Sequence, residues 1–251
     1  MAGHNKWSKI KRKKGANDAK RSRIFSKMIK EIHVATRLGG PDPENNPRLR
    51  MAIENAKGEN MPRENIDRAI KKASGDDATN YEEIRYEGYG PNGVAVIIEC
   101  TTDNINRTVS TIKSSFNKYG GSMEKTGALD FIFDQKGIFV LDIPEDWNQE
   151  EFTLEIIDAG AEDVEEEEGE LTITTAKEDF GKVQDALQKM GITPKNSGLR
   201  QVPKIQKPLT PEQARQTMKF IDVLEDDDDI QNVYHNIQPD EEVLEVLQQE
   251  S

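Results

Sequence analysis

The sequence predicts an α+β protein, with an N-terminal three-helix domain followed by two ferredoxin-like (split βαβ) α+β domains, the third inserted in the second. Three observations support this fold class. Residues 18–75 have helical apolar spacing, residues 75–80 are polar and turn-rich, and strand-like and helical segments then alternate. The predicted domains are residues 1–78, residues 79–134 together with 205–238, and residues 135–204, followed by an acidic tail at 239–251.

Helical spacing begins at Asp18. Two interleaved series, with members four positions apart, form one wide apolar stripe: Ile24, Met28 and Ile32, then Phe25, Ile29 and His33. Gly39-Gly40 predicts the end of this helix, and Asn46-Pro47 predicts the start of a second. Residues 60–62 break the second helix and open a third, which ends near Gly75. Three short amphipathic helices need one another to bury their stripes, so we expect a small bundle with a basic surface.

The spacing changes after residue 80. Strands are predicted at residues 84–86, 94–100, 129–133 and 138–143, with turns at 88–93 and 134–137. Asn104 is a cap residue, and it predicts a helix that ends at Gly120-Gly121.

A second α+β unit follows. We predict a helix near residues 152–157, a hairpin formed by 162–168 and 171–175, and a helix at 180–190. Residues 192–209 contain three prolines and are predicted to cross without regular structure. The capping box of Thr210 and Gln213 starts another helix, and residues 230–234 form a last strand. This helix and strand have no partner of their own, so we expect them to return to the first α+β domain.

Positive charge is concentrated at the start of the chain. The first thirty residues hold eleven Lys or Arg and one acidic residue, in a protein whose formal net charge is −13. Lysine, arginine and an aromatic ring together suit phosphate groups and unpaired bases. The predicted nucleic-acid-binding residues are Lys6, Trp7, Lys9, Lys11, Arg12, Lys13, Lys14, Lys20, Arg21 and Arg23. The alternative is a solvated basic tail with no dedicated partner.

Two motifs have simpler interpretations than ligand binding. Residues 88–93 match G-x-G-x-x-G, but Pro91-Asn92-Gly93 is typical of a turn and a strand follows, so a hairpin turn is expected. Residues 226–229 are four consecutive aspartates that suggest calcium. The sixth and twelfth positions of an EF-hand loop would fall on Gln231 and Ile237, which favours a solvated acidic turn.

The sequence gives little support to catalysis. The three histidines have no evident carboxylate or nucleophile partner, and Cys100 lies in an apolar run without basic neighbours. Metal-ligand spacings, a Walker loop and a nucleophile elbow are absent from the sequence. We therefore predict a non-enzymatic protein with no cofactor and no metal. One cysteine, no apolar h-region and no membrane-spanning run predict a cytoplasmic location.

Several segments resemble those of the YebC family. They are MAGHNKWSKIK at residues 1–11, FSK at 25–27, ATRLGGPDP at 35–43, NMP at 60–62, RAI at 68–70, YEGYGP at 86–91 and TTDN at 101–104. The resemblance implies a helical domain plus two α+β domains, in cytoplasmic DNA-binding proteins described as probable transcriptional regulators. Mitochondrial relatives are described as translational activators, and bacterial members have been tied to the ribosome. The resemblance brings no catalytic residues, and the acidic tail matches no family pattern.

Three functional hypotheses follow. The first is a DNA-binding transcriptional regulator, although no segment resembles a known recognition helix. The second is a translation factor on ribosomal RNA, in which Trp7 stacks on a splayed base and the acidic domains meet a protein partner. The third is a membrane-surface module formed by the basic amphipathic helix. We expect nucleic acid and not a membrane, because the other two helices need the same apolar stripe.

Overall fold

The N-terminal part of the computed structural model is helical. The structure describes residues 18–76, 78–143, 148–167 and 169–249. Helices α1 (Asp18–Gly39), α2 (Pro47–Gly58) and α3 (Arg63–Ala73) confirm the three predicted helices. The buried side chain of Asn46 joins the first two: its amide donates to the carbonyl oxygens of Ala35 and Gly40, and its oxygen accepts from the N–H of Leu49. The predicted cap residue therefore also fixes the end of α1.

The remaining elements alternate between strands and helices. Residues 82–124 form β1 (Glu82–Tyr89), β2 (Ala95–Thr102), α4 (Ile105–Lys118) and β3 (Ser122–Glu124). The next segment forms β4 (Phe133–Asp142), α5 (Gln149–Asp158), β5 (Ala161–Glu167), β6 (Glu170–Ala176), α6 (Phe180–Lys189) and β7 (Asn196–Pro203). The chain continues with α7 (Pro211–Glu225), β8 (Ile230–His235) and α8 (Glu241–Gln249).

The first sheet has the strand order β3-β1-β2-β8, and its three strand pairs are antiparallel. Strand β2 is apolar except for Glu99, Thr101 and Thr102, and seven of its eight residues are buried because both of its faces are covered. Ile98 faces α4 and α7, whose Phe116 and Phe220 rings meet edge to face with centroids 5.0 Å apart. Ile97 packs on the opposite face with Leu129. The predicted turn at residues 88–93 is confirmed in part: Pro91–Gly93 forms a short 3-10 helix between β1 and β2, whereas residues 88–89 belong to β1.

The predicted strand at residues 129–133 is wrong. Residues 126–132 form a run of turns in which Leu129 is buried and Phe131 is 59% exposed. The fully buried carboxylate of Glu87 holds these turns, because its two oxygens accept the N–H groups of Gly127 and Leu129, both at 2.8 Å. The alternating apolar residues of 129–133 therefore belong mostly to a loop that packs on the sheet and not to a strand within it.

The predicted turn at residues 134–137 is also wrong, since β4 runs through it without interruption. A Cβ on Gly137 would overlap the Thr175 hydroxyl and the Phe180 ring. Gly137 therefore allows β6 and α6 to approach β4 closely and does not reverse the strand.

The second sheet has the order β5-β6-β4-β7 and follows the β-α-β-β-α-β sequence of a split βαβ fold. Its strands lie in the chain between β3 and β8 of the first sheet, so the second sheet is an insertion. Strand β7 replaces part of the segment predicted to be irregular. It is an edge strand, and Pro203 stands at its end, where a missing N–H is tolerated. Asn55 of α2 forms two 2.8 Å hydrogen bonds to the backbone of Ser197 in β7.

The chain forms two compact units. One contains residues up to Lys30 together with 79–134 and 202–251, and the other contains residues 31–78 together with 135–201. The boundary falls inside α1, after Lys30. The three domains assigned from the sequence remain a prediction. Among the described helices, none has the length and apolar character needed to cross a membrane.

Candidate nucleic-acid interface

The basic N-terminal segment lies largely outside the described residues. Seven of the ten predicted contact residues precede residue 18: Lys6, Trp7, Lys9, Lys11, Arg12, Lys13 and Lys14. The other three, Lys20, Arg21 and Arg23, lie on α1. The described part of the chain therefore begins with α1, the helix that follows these seven residues in the sequence.

Arg21 and Arg23 have different surroundings. Arg21 is exposed, and its guanidinium carbon lies 5.3 Å from the centre of the Phe25 ring. Stacking on a ring leaves the N–H groups of a guanidinium available to an anion. Arg23 instead forms an ion pair with the Asp226 carboxylate. Of these two, Arg21 is the better placed to meet phosphate.

We use the name acidic turn for residues 225–229, between α7 and β8. Two further lysines of α1 bind it. The Nζ atom of Lys27 donates to the Glu225 carbonyl oxygen at 2.8 Å. The Nζ atom of Lys30 donates to the Asp228 carbonyl oxygen and the Asp229 carboxylate, both at 2.8 Å. Together with Arg23 these contacts hold α1 against the acidic turn, and we call them the α1 clasp.

Asp229 is the centre of the α1 clasp. Its side chain is 8% exposed, and its Oδ2 atom accepts from Arg107 at 2.5 Å, Thr108 at 3.0 Å and Thr102 at 3.1 Å. Burial alone would raise its pKa, but the hydrogen bonds from Lys30 and Arg107 outweigh burial and lower the pKa to about 2. The carboxylate is therefore ionised at neutral pH.

The prediction of a solvated acidic turn is wrong for Asp229. Its charge is paired with Lys30, which lies 199 positions earlier in the chain. Arg107 was also missed as a partner. The same Arg107 Nη2 atom bonds Asp103, one helical turn away, at 2.8 Å. That local pair was visible in the sequence, whereas the link to Asp229 needed the fold.

The helical surface of residues 31–76 is less basic than predicted, because this segment contains eight basic and eight acidic residues. Several charges are paired within it: Arg48 bonds Glu31 at 2.8 Å, and Arg63 lies 3.6 Å from Asp67. Burial raises the pKa of Glu54, against the lowering effect of Arg50 and Lys57. The remaining exposed cations are Arg37, Lys57, Arg68, Lys71 and Lys72, and the last three lie together on α3.

The described part of the chain shows little reactive chemistry. Burial, followed by the nearby Asp227 and Asp229, raises the pKa of the Cys100 thiol to about 12, so it stays protonated. Within these residues, no three His, Cys, Asp or Glu side chains are grouped in a way that could hold a metal ion. Both described histidines, His33 and His235, are buried.

Comparison with known proteins gives a family for this architecture. The family profile for the TACO1/YebC protein N-terminal domain matches residues 5–76. The profile for the TACO1/YebC second and third domain matches residues 81–237. This chain belongs to the TACO1/YebC family. The first profile includes the basic segment from residue 5 onward, and the second spans both sheets.

Similar TACO1/YebC proteins cover almost the whole chain. A protein of Finegoldia magna is 52% identical over 238 residues, which is 94% of this chain and 98% of the relative. One from Geotalea uraniireducens is 50% identical over 248 residues, or 98% of this chain and all of the relative. One from Amoebophilus asiaticus is 49% identical over 239 residues, or 94% and 98%. All three are named probable transcriptional regulatory protein.

A solved structure has the same fold. The crystal structure of a conserved hypothetical protein from Aquifex aeolicus matches with a TM-score of 0.78 and 43% sequence identity. The match covers 89% of this chain and 93% of the other. The mixed α+β architecture is therefore shared with a TACO1/YebC-like protein whose structure was solved by crystallography.

Proposed function

We propose that this TACO1/YebC protein is a non-enzymatic, nucleic-acid-binding regulator of gene expression, with duplex DNA as its first ligand. The observation that carries the proposal is the separation of charge. Eleven basic residues and one acidic residue occupy the first thirty positions of a chain whose net charge is −13. Such a segment gains free energy on a polyanion by releasing condensed counterions. The names of the similar proteins support a role in transcription.

The α1 clasp suggests how the binding segment is mounted. Arg23, Lys27 and Lys30 hold α1 on the acidic turn, so their charges are already paired within the protein. Of the predicted contact residues on α1, Arg21 is therefore the one we expect to meet phosphate, together with the predicted residues before position 18, which lie outside the described part of the chain. The acidic residues elsewhere would repel the same polymer, which restricts contact to one end of the chain.

Ribosomal RNA is the second candidate ligand, and Trp7 is the observation that favours it. An indole ring within a run of lysines can stack on an unpaired base, as single-stranded RNA presents and duplex DNA does not. In this alternative the protein acts as a translation factor. In the same alternative, the acidic domains contact a protein partner.

The test is the salt dependence of binding. The variant K11Q/R12Q/K13Q/K14Q should bind duplex DNA more weakly, and its log–log salt slope should fall by up to about 3.6, at ~0.9 per phosphate contact. A matched control removes the same charge from four exposed lysines elsewhere: Lys113, Lys125, Lys189 and Lys219. An unchanged slope in the first variant, or an equal change in the control, would contradict the proposed interface.

Trp7→Ala separates the two polymers. We expect it to weaken single-stranded RNA binding by about 1–3 kcal/mol, the usual contribution of one stacked base, and to leave duplex DNA binding almost unchanged. Fluorescence anisotropy with both labelled polymers at one salt concentration measures this difference. Equal losses on the two polymers would count against stacking.

A further inference from the structure

Helix α5 has apolar side chains on two opposite sides. Phe152 and Ile156 point into the core of the second sheet. Leu154 and Ile157 lie on the other side, where they are 65% and 48% exposed. These two residues are three positions apart, so they sit next to each other on the helix surface. A helix that only covers a sheet typically carries polar residues at such outward positions.

The surroundings of this apolar pair are strongly acidic. Helix α5 and strand β5 together hold nine Asp or Glu and no Lys or Arg. Lys136 offsets one of them, bonding Glu162 at 2.8 Å. Charge on an edge strand such as β5 prevents unwanted strand pairing, but that role does not call for exposed leucine and isoleucine beside it. Apolar residues within an acidic field suit a cationic segment that also carries apolar side chains.

We infer that this α5 face binds the N-terminal segment of a second copy of the chain. That segment has the complementary pattern: Trp7 and Ile10 are three positions apart, as Leu154 and Ile157 are, and basic residues surround them. Its apolar side chains would cover the α5 pair while its lysines meet the carboxylates. If each copy binds the N-terminal segment of the other, the two contacts form a closed dimer.

The contact would also compete with polyanions. The same lysines cannot pair with carboxylates and with phosphate together, so a phosphodiester chain would displace the segment from the α5 face. The inference goes beyond the proposed function and does not depend on it. Self-association can be measured with no nucleic acid present.

The experiment uses sedimentation of the full-length protein over a concentration series, at low and at high salt. The wild type should self-associate more strongly at low salt. Both the face variant L154S/I157S and the segment variant K11Q/R12Q/K13Q/K14Q should associate about tenfold or more weakly. An equimolar mixture of the two variants should associate again, because each supplies the part that the other lacks.

Val223→Ser is the control for the face variant, since it removes an exposed apolar side chain of α7 and should leave self-association unchanged. Circular dichroism of L154S/I157S confirms that the fold is retained. A monomeric wild type at every concentration would overturn the inference, as would a mixture that fails to associate. Equal weakening by Val223→Ser would place the contact elsewhere and also overturn it.

Discussion

Replacing Asp229 by Asn removes the central charge of the α1 clasp and keeps almost the same side-chain volume. The carboxylate bonds Lys30, whose side chain is 13% exposed, and Arg107, whose side chain is 52% exposed. In the variant Lys30 keeps its two backbone carbonyl acceptors but loses its counter-charge in a nearly dry site. The cost falls mainly on Lys30, because Arg107 is half in solvent and retains Asp103.

The magnitude follows from the pKa of Asp229. Folding lowers this pKa from the usual 3.8 to about 2. A carboxyl group whose pKa is lowered by folding stabilises the fold at a pH above its pKa in the unfolded chain. This stabilisation is lost as the pH falls through its pKa in the folded protein. This lowering of the pKa corresponds to about 2–3 kcal/mol at neutral pH, since each pH unit is worth ~1.4 kcal/mol.

Urea unfolding followed by circular dichroism measures this prediction. Asp229→Asn should lower the unfolding free energy at pH 7 by about 2–3 kcal/mol, and the difference from wild type should shrink as the pH falls from the usual pKa of 3.8 to about 2. Asp228→Asn is the control, because it removes the same charge from an exposed side chain of the same turn. Its effect should stay within about 0.5 kcal/mol. Equal losses in both variants, or a difference that does not change with pH, would refute the reasoning.

Two further predictions concern other parts of the fold, both measured by urea unfolding. Glu87→Gln should lower the unfolding free energy by about 1–3 kcal/mol. The amide N–H₂ of glutamine would replace one of the two oxygens that accept a backbone N–H in the wild type, so one buried N–H would lose its acceptor. The control is Glu82→Gln, an exposed position on the same strand, which should change the unfolding free energy little. Gly58→Ala should destabilise, because its Cβ would overlap the carbonyl oxygen of Lys195, whereas Gly181→Ala on α6 has open space and should gain about 0.5–1 kcal/mol. A neutral Glu87→Gln would remove that carboxylate as the support of residues 126–132. A stabilising Gly58→Ala would show that α2 is not tightly packed against Lys195, the residue before β7.

Helices were largely predictable because their signals are local. Three cap side chains each accept the backbone N–H of the residue three positions later, as their places before the apolar stripes indicated: Asn46, Asn104 and Thr210. Strand β2 was predictable for a related reason, since a continuous apolar run needs burial on both faces. Strand β7 was not, because its strand partner in the described part of the chain, β4, lies more than fifty residues earlier and no local pattern encodes that pairing.

The candidate site divides in the same way. The sequence alone determined that positive charge gathers in the first thirty residues, and that Trp7 and Ile10 are spaced among it. Only the tertiary structure decided that two of those charges are neutralised within the protein, because Arg23 and Lys30 meet Asp226 and Asp229. Charge is a property of composition and can be counted along a chain. Its neutralisation depends on distances of a few ångströms between residues about 200 positions apart, and folding alone sets those distances.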